Sequence, residues 1–139
     1  MSTSPPTALA AVWEKVYSQQ GLEFPVIVAT LASLGVSRYR VDYTARAVTA
    51  YFDGSTTSDV YNTPWRHEIA PDVKWDAAAL KAAIHGAQTG TIGGYRGFCE
   101  AAVTAGVTDY TCYIKGKRVV YSGALGDVHT EWFPGVKTD

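Results

Sequence analysis

The C-terminal segment 127–131 carries the strongest pattern of reactive side chains in the sequence. On an extended strand successive side chains point to opposite faces, so Asp127, His129 and Glu131 would share one face. Two carboxylates and an imidazole at that spacing can form half of a metal site or an acid/base group. The alternative, which we favour, is the polar outer face of an edge strand. A converging fourth ligand such as His67 or His85 would reverse that preference.

A second group of candidate residues lies in the aperiodic segment 53–73, which is predicted to be a long loop. Its aromatic side chains can form a lid over a groove, with Arg66 binding an anion. A loop of this length in a compact domain is often functional. A plain surface position for His67 is the alternative, and we favour it for that residue. The candidate ligand-binding residues of this loop and the C-terminal strand are Tyr61, Trp65, Arg66, His67, His129 and Glu131.

The composition describes one near-neutral domain. Of 139 residues, 47% are hydrophobic and 18% are charged, which suffices for one core and excludes disorder of the whole chain. Twelve basic and thirteen acidic residues give a net charge of −1, without the positive surplus typical of nucleic-acid binding. Two cysteines are too few for a disulfide framework. The sequence shows neither a signal peptide nor a membrane span, so we expect a cytoplasmic protein without a membrane partner. We also expect no cofactor and no nucleic-acid partner.

Hydrophobic periodicity supplies the elements that would position the candidate residues. Apolar side chains at three- and four-residue steps predict helices over residues 7–20, 25–34, 77–89 and 95–105. Alternating side chains predict strands over residues 38–43, 48–52, 110–114, 118–122 and 128–133. We expect one domain over residues 7–134, with a disordered tail at 1–6 and a second tail at 135–139.

The two halves of the chain resemble each other at a shift of 71 residues. At this shift Leu34-Gly35-Val36 aligns with Ala105-Gly106-Val107, and Tyr39 aligns with Tyr110. The predicted elements follow the same order in each half, which favours duplication over chance similarity of two short segments.

The repeat predicts the fold class. The halves span about 7–53 and 76–123, and the loop 53–75 links them. Because a lone hairpin is only marginally stable in water, two hairpins joined in one sheet under a layer of helices would share a core. We therefore predict an α+β domain with an internally duplicated ααββ unit, an antiparallel sheet and helices packed on one face.

Two other kinds of site are disfavoured. Cys99 aligns with Val28, and Cys112 aligns with Val41, so both thiols are predicted to be buried core groups. A nucleophilic cysteine would instead need a partly exposed thiolate beside a base. The glycine-rich segment 90–97 lacks the Lys-Ser/Thr pair of a phosphate loop and predicts a turn between helices.

Several of these motifs resemble the YbcV-like proteins, a small bacterial family. Phe24-Pro25 and Leu34-Gly35-Val36 are similar to its first half. The closing segment 121–134, with His129 and Glu131, is its most specific part, and the resemblance covers roughly residues 22–134. It implies a protein of unknown function without established catalytic residues. Some members are labelled phage envelope proteins, which implies an association with prophages.

Together these observations favour a non-catalytic binding or regulatory module that forms a homodimer through an exposed sheet edge or face. The alternative is a small hydrolase or metal-dependent enzyme built on Asp127, His129 and Glu131. A third hypothesis, a phage structural component, follows from the resemblance alone.

Overall fold

The structure, a computed structural model, describes residues 8–18, 21–70 and 72–136. The predicted tail 1–6, the end of the tail 135–139, and residues 7, 19 and 20 of the first predicted helix lie outside the described residues.

The described residues form an α+β fold, as predicted. Helices α1 to α4 span Ala8–Val16, Phe24–Ser33, Ala77–Thr89 and Gly94–Thr104. Strands β1 to β6 span Val36–Asp42, Ala47–Phe52, Ser58–Asn62, Val107–Tyr113, Arg118–Gly123 and Val128–Trp132. In the part of the chain that the structure describes, no helix is both long and apolar enough to cross a membrane.

All six strands pair antiparallel in one sheet of order β3-β2-β1-β4-β5-β6, so β3 and β6 are its edges. Arg40 lies opposite Thr111 in the central β1–β4 pair. A shift of 71 residues relates the bounds of β1 to those of β4 and the bounds of β2 to those of β5. Arg40 and Thr111 are therefore equivalent positions, and a pseudo-twofold axis passes between them.

Strand β3 corrects the prediction of an unstructured link over residues 53–75. Each half has the element order ααβββ rather than ααββ, because β3 follows β2 just as β6 follows β5. The strand was missed because its apolar residues, Val60 and Tyr61, are adjacent and do not alternate. An edge strand pairs on one side only, and its exposed positions carry polar residues such as Ser58 and Asn62. The repeated order of elements is observed, whereas the duplication itself stays a prediction.

Local signals explain where the helices begin and end. Pro25 lies in the first turn of α2, where the missing backbone N–H interrupts no helical hydrogen bond. The Asp76 carboxylate accepts a hydrogen bond from the Ala79 backbone nitrogen at 3.0 Å and caps α3. Gly90 ends that helix in the left-handed conformation, with a φ of 74°.

The helices cover one face of the sheet and enclose an aromatic core. Trp13 of α1 packs edge-on against Tyr39 of β1, with ring centroids 5.4 Å apart. The predicted core cysteines are confirmed as buried free thiols. Other buried side chains on the covered face of the sheet are Val41, Tyr43, Val48, Ala50, Tyr110, Val119 and Tyr121.

The opposite face of the sheet carries a cross-strand row of cationic and aromatic side chains. Trp132, Arg118, Tyr113, Arg38 and Tyr51 are successive register partners across β6, β5, β4, β1 and β2. The guanidinium carbons of Arg38 and Arg118 lie 4.1 Å and 3.9 Å from the ring centroids of Tyr51 and Trp132. These cation–π contacts help to hold the sheet together.

Trp75, at the end of the linking segment 53–75, packs closely against two glycines of the second half. A Cβ atom on Gly123 would lie 2.8 Å from Cε3 of Trp75, and one on Gly106 would lie 2.9 Å from the Trp75 Cα atom. The Asp76 backbone nitrogen also donates a hydrogen bond to the Ala105 carbonyl oxygen at 2.8 Å. The two glycines therefore allow the close approach of Trp75 that leads the chain into α3.

Candidate ligand-binding site

A cavity of about 650 Å³ lies between helices α3 and α4, strands β5 and β6, and the start of α2. Its deep wall is formed by the buried side chains of Phe98, Tyr110, Val119 and Tyr121. Exposed residues form the mouth of the cavity. The volume and the mainly apolar wall are typical of sites that bind small molecules.

Two tyrosines of the cavity wall are joined through their phenol groups. The hydroxyl groups of Tyr95 and Tyr110 form a hydrogen bond of 2.5 Å. Burial raises the pKa of both phenols well above the usual value, although part of the Tyr95 ring is exposed. Both hydroxyls are therefore neutral near pH 7 and can donate or accept hydrogen bonds.

Aromatic rings dominate the remaining wall. Phe24 and Phe133 pack edge-on at the mouth, with ring centroids 5.8 Å apart. The charged side chains among the described lining residues are Glu23 and Glu131. The aromatic lining residues are Phe24, Tyr95, Phe98, Tyr110, Tyr121, Trp132 and Phe133.

Strand β6 brings His129 and Glu131 to the covered face of the sheet. His129 pairs with Tyr121 and Glu131 pairs with Val119, and both of those partners are buried. The His129 Nε2 atom lies 3.2 Å from Glu131 Oε1, and Glu131 lines the cavity. The favoured alternative of a polar outer face is therefore wrong for these two residues.

Asp127 does not complete a metal site with this pair. It is exposed and precedes β6. Within residues 8–18, 21–70 and 72–136, no group of three or more His, Cys, Asp or Glu side chains is placed to hold a metal ion. Among the described residues, His129 and Glu131 thus share a face as predicted and contact each other, whereas the candidate ligand set with Asp127 is not assembled.

The aromatic residues of the linking segment pack against the first half of the domain. Tyr61 stacks on Tyr17, with ring centroids 5.9 Å apart. Trp65 packs edge-on against Tyr17 at 4.7 Å and lies 6.1 Å from Tyr95. Tyr17 also packs edge-on against Tyr95, with ring centroids 5.7 Å apart, so both Tyr17 and Trp65 connect this cluster to the cavity wall.

Arg66 and His67 line a separate groove of about 410 Å³. His67 packs edge-on against Tyr43, with ring centroids 5.3 Å apart. Burial lowers the pKa of His67. The negative charge of Glu100 raises this pKa and the positive charge of Arg96 lowers it, and both effects are smaller than that of burial. The six predicted ligand-binding residues therefore do not surround one pocket.

The two halves differ in how equivalent positions are filled. Tyr61 and Glu131 are equivalent by strand register, because Tyr61 pairs with Val48 and Glu131 pairs with Val119. Tyr17 is equivalent to Gln88 at the shift of 71 residues. In the first half, the rings of Tyr17, Tyr61 and Trp65 pack together. In the second half, Gln88 and Glu131 line an open cavity instead.

Sequence reasoning missed most of the cavity wall. Residues such as Ile84, Phe98 and Val119 look like ordinary core residues, and only the repeat carries a usable signal. Trp13 is equivalent to Ile84 and Val16 to Ala87, so these two side chains of α3 are smaller than their counterparts, whereas Phe98 and Tyr121 are larger than their equivalents Ile27 and Ala50. Side-chain volumes at equivalent positions therefore point to space beside α3 but not beside α4 or β5.

The fold and the cavity define a small α+β domain with an aromatic internal pocket. The chain belongs to DUF1398, a family of proteins of unknown function, whose profile matches residues 11–130. A search of curated proteins found no match. The matched segment includes the cavity wall from Phe24 to Tyr121 and ends one residue before Glu131.

Proposed function

We propose that the protein is a non-catalytic binding module that holds a small, largely apolar molecule in the cavity of its second half. The observation that carries this proposal is the asymmetry between the halves. Aromatic side chains fill the space beside Tyr17 and Tyr61, whereas their equivalents Gln88 and Glu131 border about 650 Å³ of open volume. A folded core normally fills such a volume, because empty space loses dispersion contacts.

A ligand with a polar end and an aromatic or aliphatic body matches the wall. The deep apolar surface would gain about 25 cal/mol for each Å² removed from water. The hydroxyls of Tyr95 and Tyr110 and the carboxylate of Glu131 would fix the orientation of the polar end. The ligand would thus be held mainly by burial and oriented by a few hydrogen bonds.

The experiment is a thermal unfolding series with 4-phenylbutan-1-ol as the probe. We expect the probe to raise Tm, because a molecule that binds only the folded state stabilises it. Ala87→Phe places a ring at the cavity, and Ala82→Phe places the same ring on the exposed surface of α3. The probe should stabilise the wild type and Ala82→Phe but not Ala87→Phe. Equal stabilisation of both variants, or of none of the three proteins, would refute binding in this cavity.

The contact between His129 and Glu131 supports a second proposal, a small hydrolase or metal-dependent enzyme in which this pair, predicted together with Asp127, would act without Asp127 as a neighbouring ligand. A histidine held by a carboxylate at a cavity can act as a general base. The test is hydrolysis of p-nitrophenyl esters, with and without added Zn²⁺. We expect His129→Ala to abolish any turnover, and the enzyme proposal fails if the wild type is inactive under both conditions.

We also propose a homodimer that forms through a sheet edge. The edge strands β3 and β6 carry the exposed side chains of Val60 and Val128, which are 58% and 59% accessible. Unpaired strand edges with apolar side chains favour association with another chain. Light scattering with size-exclusion chromatography should give twice the mass of one chain, and a clean monomer at high concentration would refute the dimer.

The cellular setting is a further proposal. We propose that the protein acts in the bacterial cytoplasm as a regulatory module, in keeping with its resemblance to the YbcV-like proteins, and that its gene is prophage-associated. Support comes from the closing motif around Gly126, His129 and Glu131. Phage genes beside the gene for this chain would support the association, and their consistent absence across relatives would refute it.

A further inference from the structure

We infer that the cavity selects molecules with a positive charge on an apolar body, such as a hydrophobic amine or a quaternary ammonium ion. The inference rests on the proposed binding function and names the class of ligand for that same site. Two independent properties of the wall carry it: the sign of its charged groups and the chemistry of its rings.

The charged side chains at the cavity have the same sign. Glu23 lies at the mouth and Glu131 on the wall, and no described lining residue is a lysine, an arginine or a histidine. His129 contacts Glu131 through one ring nitrogen at 3.2 Å but does not line the cavity itself. A cationic ligand would therefore find carboxylates without a competing cation inside the cavity.

The aromatic wall favours the same charge. The faces of aromatic rings carry negative electrostatic potential and attract cations within about 6 Å of the ring centroid. The Trp132 ring does not contribute to this wall, because it lies on the opposite face of the sheet with the Arg118 guanidinium carbon 3.9 Å from its centroid. Arg118 is on that opposite face too and is not among the lining residues. The other aromatic lining residues are Phe24, Tyr95, Phe98, Tyr110, Tyr121 and Phe133.

Other ligand charges are disfavoured for physical reasons. An anionic ligand would approach Glu23 and Glu131 without a balancing positive group. A neutral ligand would shield the Glu131 carboxylate from water and offer only neutral hydrogen bonds in return. A hydrogen bond between an ammonium group and a carboxylate is about twice as strong as one between neutral groups.

The experiment compares three probes of the same length by isothermal titration calorimetry at pH 7: 4-phenylbutylamine, 4-phenylbutan-1-ol and 4-phenylbutyrate. These molecules share the phenylbutyl body, apart from the carbonyl carbon of the acid, and differ in charge at the polar end. We expect the amine to bind about tenfold more tightly than the alcohol, and the carboxylate to bind most weakly.

Variants identify the group responsible. Glu131→Gln keeps the size of the side chain and removes its charge, so amine affinity should fall about tenfold while alcohol affinity stays unchanged. Because the alcohol should bind only the folded protein, its unchanged affinity also shows that the variant is folded. Glu14→Gln removes one charge from the exposed surface of α1 and should leave the affinities of all three probes unchanged.

The outcomes separate this inference from the binding function on which it rests. Equal affinities of the amine and the alcohol, or tightest binding of the carboxylate, would overturn cation selectivity and leave the binding function intact. Loss of amine preference in Glu14→Gln as well would overturn the assignment to Glu131. Failure of all three probes to bind would overturn both proposals.

Discussion

Tyr17 and Gln88 occupy equivalent positions at the ends of the first helix in each half, yet they have opposite surroundings. The centroid of the Tyr17 ring lies 5.9 Å from the centroid of the Tyr61 ring and 4.7 Å from that of the Trp65 ring. Gln88 lines the mouth of the open cavity. The strands have matching bounds in the two halves, but α3 continues past Gln88 whereas α1 ends at Val16, so the two positions differ in helix length as well as in side chain.

Gln88→Tyr should close the cavity by copying the first half. A tyrosine at this position can place its ring where Gln88 now borders empty space, and the affinity for 4-phenylbutan-1-ol should fall by about tenfold or more. Titration calorimetry checks this result. Lys81→Tyr puts the same ring on the exposed surface of α3 and should bind the alcohol like the wild type. Unchanged affinity in Gln88→Tyr would contradict the equivalence of the two positions.

Gly123→Ala should destabilise the domain by about 1–3 kcal/mol, because the new methyl group overpacks the contact with Trp75. Its Cβ atom would lie 2.8 Å from Trp75 Cε3 and 3.2 Å from the Gly106 carbonyl oxygen. Gly93→Ala is the matched control, since its Cβ atom would have no neighbour within 4 Å and its φ is −74°. Urea unfolding should place the control within about 0.5 kcal/mol of the wild type. Equal stability of both variants would show that Trp75 can move aside.

The stability of the domain should fall steeply in alkali. Burial raises the pKa of six tyrosines far above the usual value near 10, so their hydroxyls ionise in the unfolded chain before they ionise in the folded one. Above that pH the unfolded chain binds fewer protons, and the free energy of unfolding falls with rising pH, by about 1.4 kcal/mol per pH unit for each such group. The six residues are Tyr17, Tyr39, Tyr43, Tyr95, Tyr110 and Tyr121.

Urea unfolding at pH 8, 9.5, 10.5 and 11 measures this slope. Tyr121→Phe removes one of the six phenols and should make the slope shallower by about one proton, or 1.4 kcal/mol per pH unit. A flat profile between pH 8 and 11, or an unchanged slope in Tyr121→Phe, would contradict the buried neutral state of these hydroxyls.

Both thiols should be inert in the folded protein. Burial raises the pKa of Cys99 and of Cys112 to about 12, with a partial opposing effect of hydrogen bonds from neighbouring tyrosines. Because the thiolate is the reactive form, an aromatic disulfide reagent at pH 8 should modify neither residue before unfolding and both in guanidinium chloride. Mass spectrometry counts the labels. Rapid labelling of a single cysteine under native conditions would indicate an exposed thiol and contradict the core assignment.

Periodicity predicted most of the fold because most elements have one buried face. Helix α3 begins and ends at the predicted residues, since Asp76 and Gly90 are strong local signals at its two ends. Strand β3 was missed because Ser58 to Asn62 show no alternation of apolar residues. The other edge strand, β6, was predicted because its side chains alternate, so the local pattern failed at β3 for lack of alternation and not because β3 is an edge.

The candidate site was less predictable because a cavity depends on which side chains meet in three dimensions. Strand alternation predicted that His129 and Glu131 share one face, and their side chains do lie together on the covered face; their contact at 3.2 Å was not predicted. Phe98 and Val119 have the apolar character of any core residue, and nothing in their local sequence marks empty space beside them. The side-chain packing of Tyr61 and Trp65 was equally hidden, because it depends on the distant Tyr17.

The packed rings of Tyr17, Tyr61 and Trp65 have a consequence for stoichiometry. A pseudo-twofold domain with two identical halves would offer two equal sites, and its binding curve could be cooperative. In this chain the space in the first half is filled by the rings of Tyr17, Tyr61 and Trp65. Binding to the cavity of the second half should therefore saturate at one ligand molecule per chain and follow a simple hyperbolic curve. Under the proposed binding function, the first half would therefore support the fold while the second half would hold the ligand.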